Sequence, residues 1–219
     1  MKCFNRSSSI IYSCVTKEIQ QDMIDRYDVD ERCTCFIQNG YYPPCMDDSH
    51  CDQAIIEKVK DFSGCFDKVG IFVGVGYAWH GIDELIEFSK QYPSIGFIII
   101  SINDVNIDGD NILVLEQQTL ATICEIYKYC HFGIGSFRSN LKGLSEASPL
   151  KTREYLCYGL LVLTIDLDSA ETIHELKPFI FNLNNDENAM IHILKETNKD
   201  DIKRIARHYL SWDLLFEDI

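Results

Sequence analysis

Two carboxylates, Glu146 and Glu154, stand eight positions apart in the run Glu146-Ala147-Ser148-Pro149-Leu150-Lys151-Thr152-Arg153-Glu154. Ser148 suits a helix N-cap and Pro149 the first helical position, so the run reads as a loop entering a helix. Glu146 is then expected in the loop at the helix mouth, and Glu154 about one to two turns into the helix. Unpaired N–H groups at the mouth, with Lys151 and Arg153 beside them, suit a phosphate, and carboxylates can accept hydrogens from sugar hydroxyls. The same residues equally describe a capped surface helix whose acids are placed favourably for its dipole.

A second candidate is the loop Gly74-Val75-Gly76-Tyr77-Ala78-Trp79-His80-Gly81, which follows an apolar run. Glycines such as Gly76 let backbone N–H groups approach a phosphate, and the helix that follows favours an anion. His80, at the helix entrance, can donate to a phosphate or simply cap and pack. The loop is not a dinucleotide fingerprint, because its third glycine follows the second by five residues instead of three. A nicotinamide-dependent dehydrogenase is disfavoured on that ground.

The elements that must position these residues follow from hydrophobic period. Strands are expected at 9–14, 33–37, 69–73, 95–101, 112–115, 132–134 and 160–164, and helices at 16–27, 82–91, 120–129, 149–158 and 202–216. Strands apolar on both faces, alternating with helices, imply a doubly wound α/β domain: a parallel sheet with helices on both faces. Ligands bind such sheets outside the carboxyl ends of the strands. That selects the loops 74–81, 101–111, 116–119 and 135–148, and with them Glu116.

Composition narrows the classes further. With 20 Lys+Arg against 34 Asp+Glu the net charge is −14, which argues against nucleic acid as a partner. Hydrophobic residues make up 46% of the 219, an ordinary globular value. The longest apolar runs are strand-sized, short of the roughly 20 residues a membrane span needs, so at most peripheral membrane contact is expected. Ten cysteines, with no secretory apolar core after Met1, read as reduced thiols of a cytoplasmic chain. Cys33 and Cys35, or Cys45, His50 and Cys51, lack the paired spacing of a zinc site. Asp104–Asp110 opens like a calcium loop, but its twelfth position is Leu115. Both are read as structural, and no metal site is expected.

Glu146…Glu154 matches the E-x7-E motif of retaining GT-B glycosyltransferases, and the wording through Gly159 and the β-run after it closely resembles family 4 members. Trp79-His80-Gly81-Ile82-Asp83-Glu84-Leu85-Ile86 resembles the loop and helix after the first strand of their donor domain. Phe36-Ile37-Gln38-Asn39-Gly40 resembles the stretch that opens that domain, and Arg207–Trp212 its closing helix. The resemblance implies a Rossmann-like GT-B half binding a UDP- or GDP-hexose, without metal or other cofactor, in bacterial polysaccharide biosynthesis. It implies that Glu154 binds the ribose hydroxyls, that Glu146 and His80 are catalytic, and that Ser148, Pro149 and Leu150 cradle the diphosphate or sugar. Gly76, Trp79, Glu116, Lys151 and Arg153 complete the expected donor site. Aligned on Gly81, Val75 and His80 stand where many relatives carry an Arg and a Lys; Lys151 and Arg153 are the residues that can compensate. Residues 1–40 are expected to be the remnant of a first domain and 41–219 the donor domain, the acceptor-binding half being a missing domain or partner subunit. The alternative is a non-catalytic nucleotide- or partner-binding module of the same fold.

Overall fold

The structure is a computed structural model and describes residues 10–44, 51–102, 109–138, 143 and 145–217. Cys45, His50 and residues 103–108 of the acidic turn lie outside the described residues. One β–α–β piece precedes the main sheet: β1 (Tyr12–Cys14), α1 (Lys17–Tyr27) and β2 (Thr34–Phe36), the two strands pairing in parallel as a small sheet of their own. Thr16 starts α1 by accepting the Ile19 N–H at 3.1 Å.

After α2 (Gln53–Ser63) come β3 (Lys68–Val73), α3 (Ile82–Ser89), β4 (Ile95–Ile100), β5 (Ile112–Leu115), α4 (Leu120–Ile126) and β6 (Phe132–Ile134). They are followed by β7 (Glu146–Ala147), α5 (Leu150–Cys157), β8 (Leu161–Thr164), β9 (Leu167–Asp168), β10 (Ile180–Asn182), α6 (Ala189–Leu194), α7 (Lys199–Tyr209) and α8 (Trp212–Leu215). Six strands form one parallel sheet in the order β5-β4-β3-β6-β8-β10. This is the doubly wound order, in which the chain reverses direction across the sheet between β3 and β6. Every residue of β4 and of β8 is buried, as strands covered on both faces require.

The described elements exceed the expected set by α2, β7, β9, β10 and α6. α2 carries apolar residues at helical spacing, Ile55, Ile56, Val59 and Phe62, and is started by Asp52, whose side chain accepts from the Ala54 and Ile55 N–H groups, with Ile56 and Val59 buried. The expected helix over 202–216 is two helices, α7 and α8, because Ser211 leaves the helical path and caps α8 through the Leu214 N–H.

The middle of the sheet is tied to α5 by Tyr155. Its ring packs against β6 at Gly133, where a Cβ would overlap ring atoms, and its hydroxyl accepts the Val73 N–H at 3.0 Å. Asn111 makes a comparable junction on the other side, its amide donating to the carbonyls of Ser89, Tyr92 and Ile95. Gly133→Ala is expected to destabilise the fold by about 2–3 kcal/mol through overpacking, read as a lowered midpoint in urea unfolding.

Candidate active site at the strand switch point

β3 and β6 diverge into the two loops that flank the reversal point. The loop after β3 makes a short 3-10 turn over Ala78–His80 and enters α3 through Gly81, whose φ is 64°. The loop after β6 folds over it: the Phe137 N–H donates to the His80 carbonyl at 2.9 Å and the Arg138 N–H to that of Trp79 at 3.2 Å. A side chain at 81 would collide with Phe137, so Gly81 is needed for both its backbone angle and this closure. Arg138 is ion-paired with Glu84 on α3.

Within the first loop His80 folds inward. Its Nδ1 accepts the N–H of Gly76 at 3.1 Å, and Gly76 takes a φ of 85° to allow it. With Nδ1 accepting, the proton of the neutral ring is on Nε2. The His80 ring meets Phe72 edge-on at 5.4 Å, and the Nζ of Lys151 lies 4.2 Å from the centroid of the same Phe72 ring. One aromatic ring at the end of β3 thus gathers the histidine of the first loop and the lysine at the entrance of α5. Trp79 stacks on Tyr77 at 4.5 Å, and Leu150 stands 56% exposed at the helix mouth.

The entrance to α5 differs from expectation in its details. Pro149, not Ser148, is the N-cap residue, and it has no side chain that can cap. Ser148 is drawn away by the chain before β3: its hydroxyl accepts the Asn39 N–H at 3.1 Å and its carbonyl accepts from Asn39 Nδ2 at 2.5 Å. The first turn of α5 therefore carries no side-chain cap, the condition under which helix N–H groups are offered to an anion.

Arg153 corrects the expected donor set. It is 0% exposed, ion-paired with buried Asp168, and donates to Gln38 Oε1 at 2.9 Å, Ser169 Oγ at 2.7 Å and the Asn39 carbonyl at 3.1 Å. All its directions are used inside the protein, so it is a structural cation and not a diphosphate ligand. Gln38, Asp168 and Ser169 were missed because nothing local links residues 38 and 168 to position 153.

The two acids are held from different directions. Glu146 lies in β7, not in a loop, and its Oε2 accepts the N–H groups of Lys17 and Glu18 at 3.0 and 3.3 Å. Glu154 accepts from the Tyr127 hydroxyl at 2.9 Å. Burial pushes its carboxyl above the usual range, against the lowering effect of the Tyr127 bond. Glu154 in turn helps raise the phenols of Tyr41, Tyr127, Tyr155 and Tyr158, each pushed up chiefly by burial. A cavity of about 550 Å³ opens between α4, α7 and Pro43–Pro44. It is walled partly by Tyr127 and Tyr158, so it adjoins the tyrosines around Glu154, whereas Gly76, His80 and Lys151 do not line it. Glu116 is exposed beyond β5, its carbonyl accepting from Gln118 at 3.1 Å.

The sheet order, the paired loops at its reversal point and the helix entrance define a doubly wound, Rossmann-like α/β fold of the kind found in GT-B glycosyltransferases. Among solved structures of this fold, WaaG, a glycosyltransferase involved in lipopolysaccharide biosynthesis, is 16% identical with a TM-score of 0.62, over 97% of this chain and 61% of its own. A glycosyltransferase from Rickettsia africae is 15% identical with a TM-score of 0.64, over 95% of this chain and 61% of its own. HepE from Anabaena, in complex with UDP-glucose, is 15% identical with a TM-score of 0.60, over 95% and 62%. The chain thus spans about 61% of the length of the first of these structures. No protein-family model and no curated protein matches the sequence. Among the described residues no helix is long and apolar enough to cross a membrane.

Removing the buried cation tests its structural role. Arg153→Ala should cost about 3–5 kcal/mol, because Asp168 is left buried without its partner; thermal unfolding reads the loss.

Proposed function

We propose that this chain is the nucleotide-sugar-binding half of a retaining, metal-independent hexosyltransferase of bacterial polysaccharide biosynthesis, working in the cytoplasm with an acceptor-binding half supplied by another domain or subunit. The observation that carries this reading is the meeting of His80 and Lys151 on Phe72, beside the helix entrance that has no side-chain cap. A diphosphate placed there meets a lysine, a histidine N–H and the positive end of α5, the three kinds of donor that stabilise charge on a departing nucleoside diphosphate. Gly76 brings backbone close, Ser148–Leu150 shape the mouth, and Trp79 and Glu116 flank it from the neighbouring loops. Glu154 takes the ribose hydroxyls, and Glu146 takes hydroxyls of the transferred sugar. Residues 1–40 belong, on this reading, with the acceptor-binding half and the segment joining it to the donor domain.

A non-catalytic binding module of the same fold is the second reading. It is favoured by the burial of Arg153, which leaves Lys151 and the His80 N–H as the side-chain donors assigned to the diphosphate. Transfer assays separate the two: a catalytic half gains turnover when the acceptor-binding partner is added, and a binding module does not.

Calorimetry with UDP, GDP and their hexose conjugates, in EDTA, should show binding by one nucleotide series. Glu154→Ala should weaken it about tenfold, as loss of hydrogen bonds to a charged group predicts. Absence of nucleotide binding, or an unchanged affinity in that variant, refutes the donor-site assignment.

The raised Glu154 carboxyl also sets a pH dependence. An acid with a raised value keeps its proton as pH climbs past the ordinary 4.5, and ribose hydroxyls donate best to the ionised form. Nucleotide affinity should therefore rise with pH above 4.5 and level off once Glu154 is ionised. Glu154→Gln should flatten this profile, measured by calorimetry across that range.

A further inference from the structure

α1 and β7 exchange carboxylates. Glu146 Oε2 receives the Lys17 and Glu18 N–H groups of the first turn of α1. In return, Glu18 Oε2 receives the N–H of Ser145 at 2.8 Å, its hydroxyl at 3.0 Å, and the N–H of Glu146 at 2.9 Å. The partners are more than a hundred residues apart in sequence, so the exchange is tertiary and not a local cap. Burial is the largest single effect on the Glu18 carboxyl and would raise it, but the amides of Glu146 and Ser145 and the Ser145 hydroxyl together outweigh it and hold that carboxyl below its usual value.

Both hydrogen bonds that Glu146 accepts from α1 fall on Oε2, so the carboxylate is oriented through that oxygen. A flexible glutamate at a rim would have to be ordered by the ligand; this one is ordered beforehand by α1. We infer that Glu18 is a positioning residue for the sugar subsite: the first turn of α1 and the Glu18 carboxylate together aim Glu146 at a hydroxyl of the hexose. The inference rests on the nucleotide-sugar reading above and adds to it that the β1–α1–β2 piece forms part of the donor site. Glu18 touches no ligand itself. It acts on the sugar and leaves the nucleotide to Lys151, His80 and Glu154.

The test compares affinity for a nucleoside diphosphate with affinity for its sugar conjugate, using UDP with UDP-glucose and GDP with GDP-mannose on the full chain. In Glu18→Ala, affinity for the bare nucleotide should stay within about twofold, while affinity for the conjugate falls about tenfold, the scale of a lost charge-assisted hydrogen bond. Glu18→Gln, whose amide oxygen can still accept from Ser145 and Glu146, should restore most of that loss. Gln20→Ala removes a hydrogen bond from the same helix to Thr34 without touching the exchange, and both affinities should remain as in the wild type. Equal weakening of nucleotide and conjugate in Glu18→Ala overturns the inference, as does the same pattern in Gln20→Ala, since either marks a general loosening of α1. A wild type that binds the bare nucleotide but gains nothing from the hexose overturns the inference while leaving the nucleotide site standing. A wild type that binds none of the four probes overturns both.

Discussion

The buried guanidinium of Arg153 is the constraint on which the other arrangements depend. A cation with no exposure to water is tolerated only when its charge is matched and its N–H groups are accepted. Asp168 supplies the charge, and Gln38, Asn39, Pro149 and Ser169 supply acceptors. These partners come from the chain before the main sheet, from the start of α5, and from the end of β9 with the turn after it. One side chain therefore sets where three segments meet. Asn39, held through its carbonyl by Arg153, in turn occupies Ser148, which is why the entrance of α5 is left with a proline for its cap.

The consequence for chemistry is a division of labour among neighbouring cations. Arg153 and Lys151 are two residues apart on one helix, so their side chains leave in different directions. Arg153 turns inward to the junction of segments, and Lys151 turns toward Phe72 and the first loop. His80 approaches the same ring from the loop that leaves β3. On the proposed reading the donors offered to a diphosphate are a lysine, a histidine N–H and backbone amides, in a chain whose overall charge is strongly negative.

Much of the sheet was legible in the sequence because it is local. β5 and β6 fall at 112–115 and 132–134, where short apolar runs are bounded by polar or glycine neighbours, and parallel pairing follows from strands such as β4 that are apolar on both faces. The positions of His80 and Lys151 at strand and helix ends were legible for the same reason. Their common ring was not, since Phe72 reads only as core. The roles of Arg153, Ser148 and Glu146 could not be read locally: each is decided by a partner far away in sequence, Asp168 and Gln38 for the first, Asn39 for the second, and α1 for the third. Charge and spacing identified these residues as important but did not say whether water, ligand or protein would satisfy them.

The hydrogen bond from the Val73 amide to the Tyr155 phenol carries a mechanical consequence. Val73 is the last residue before the glycine loop, and Tyr155 lies one turn beyond Lys151 on α5. A strand end and the helix opposite it are fastened through a single oxygen embedded in the core, so neither shifts without dragging the other. The spacing between the start of the glycine loop and the entrance of α5 is therefore fixed by the core itself.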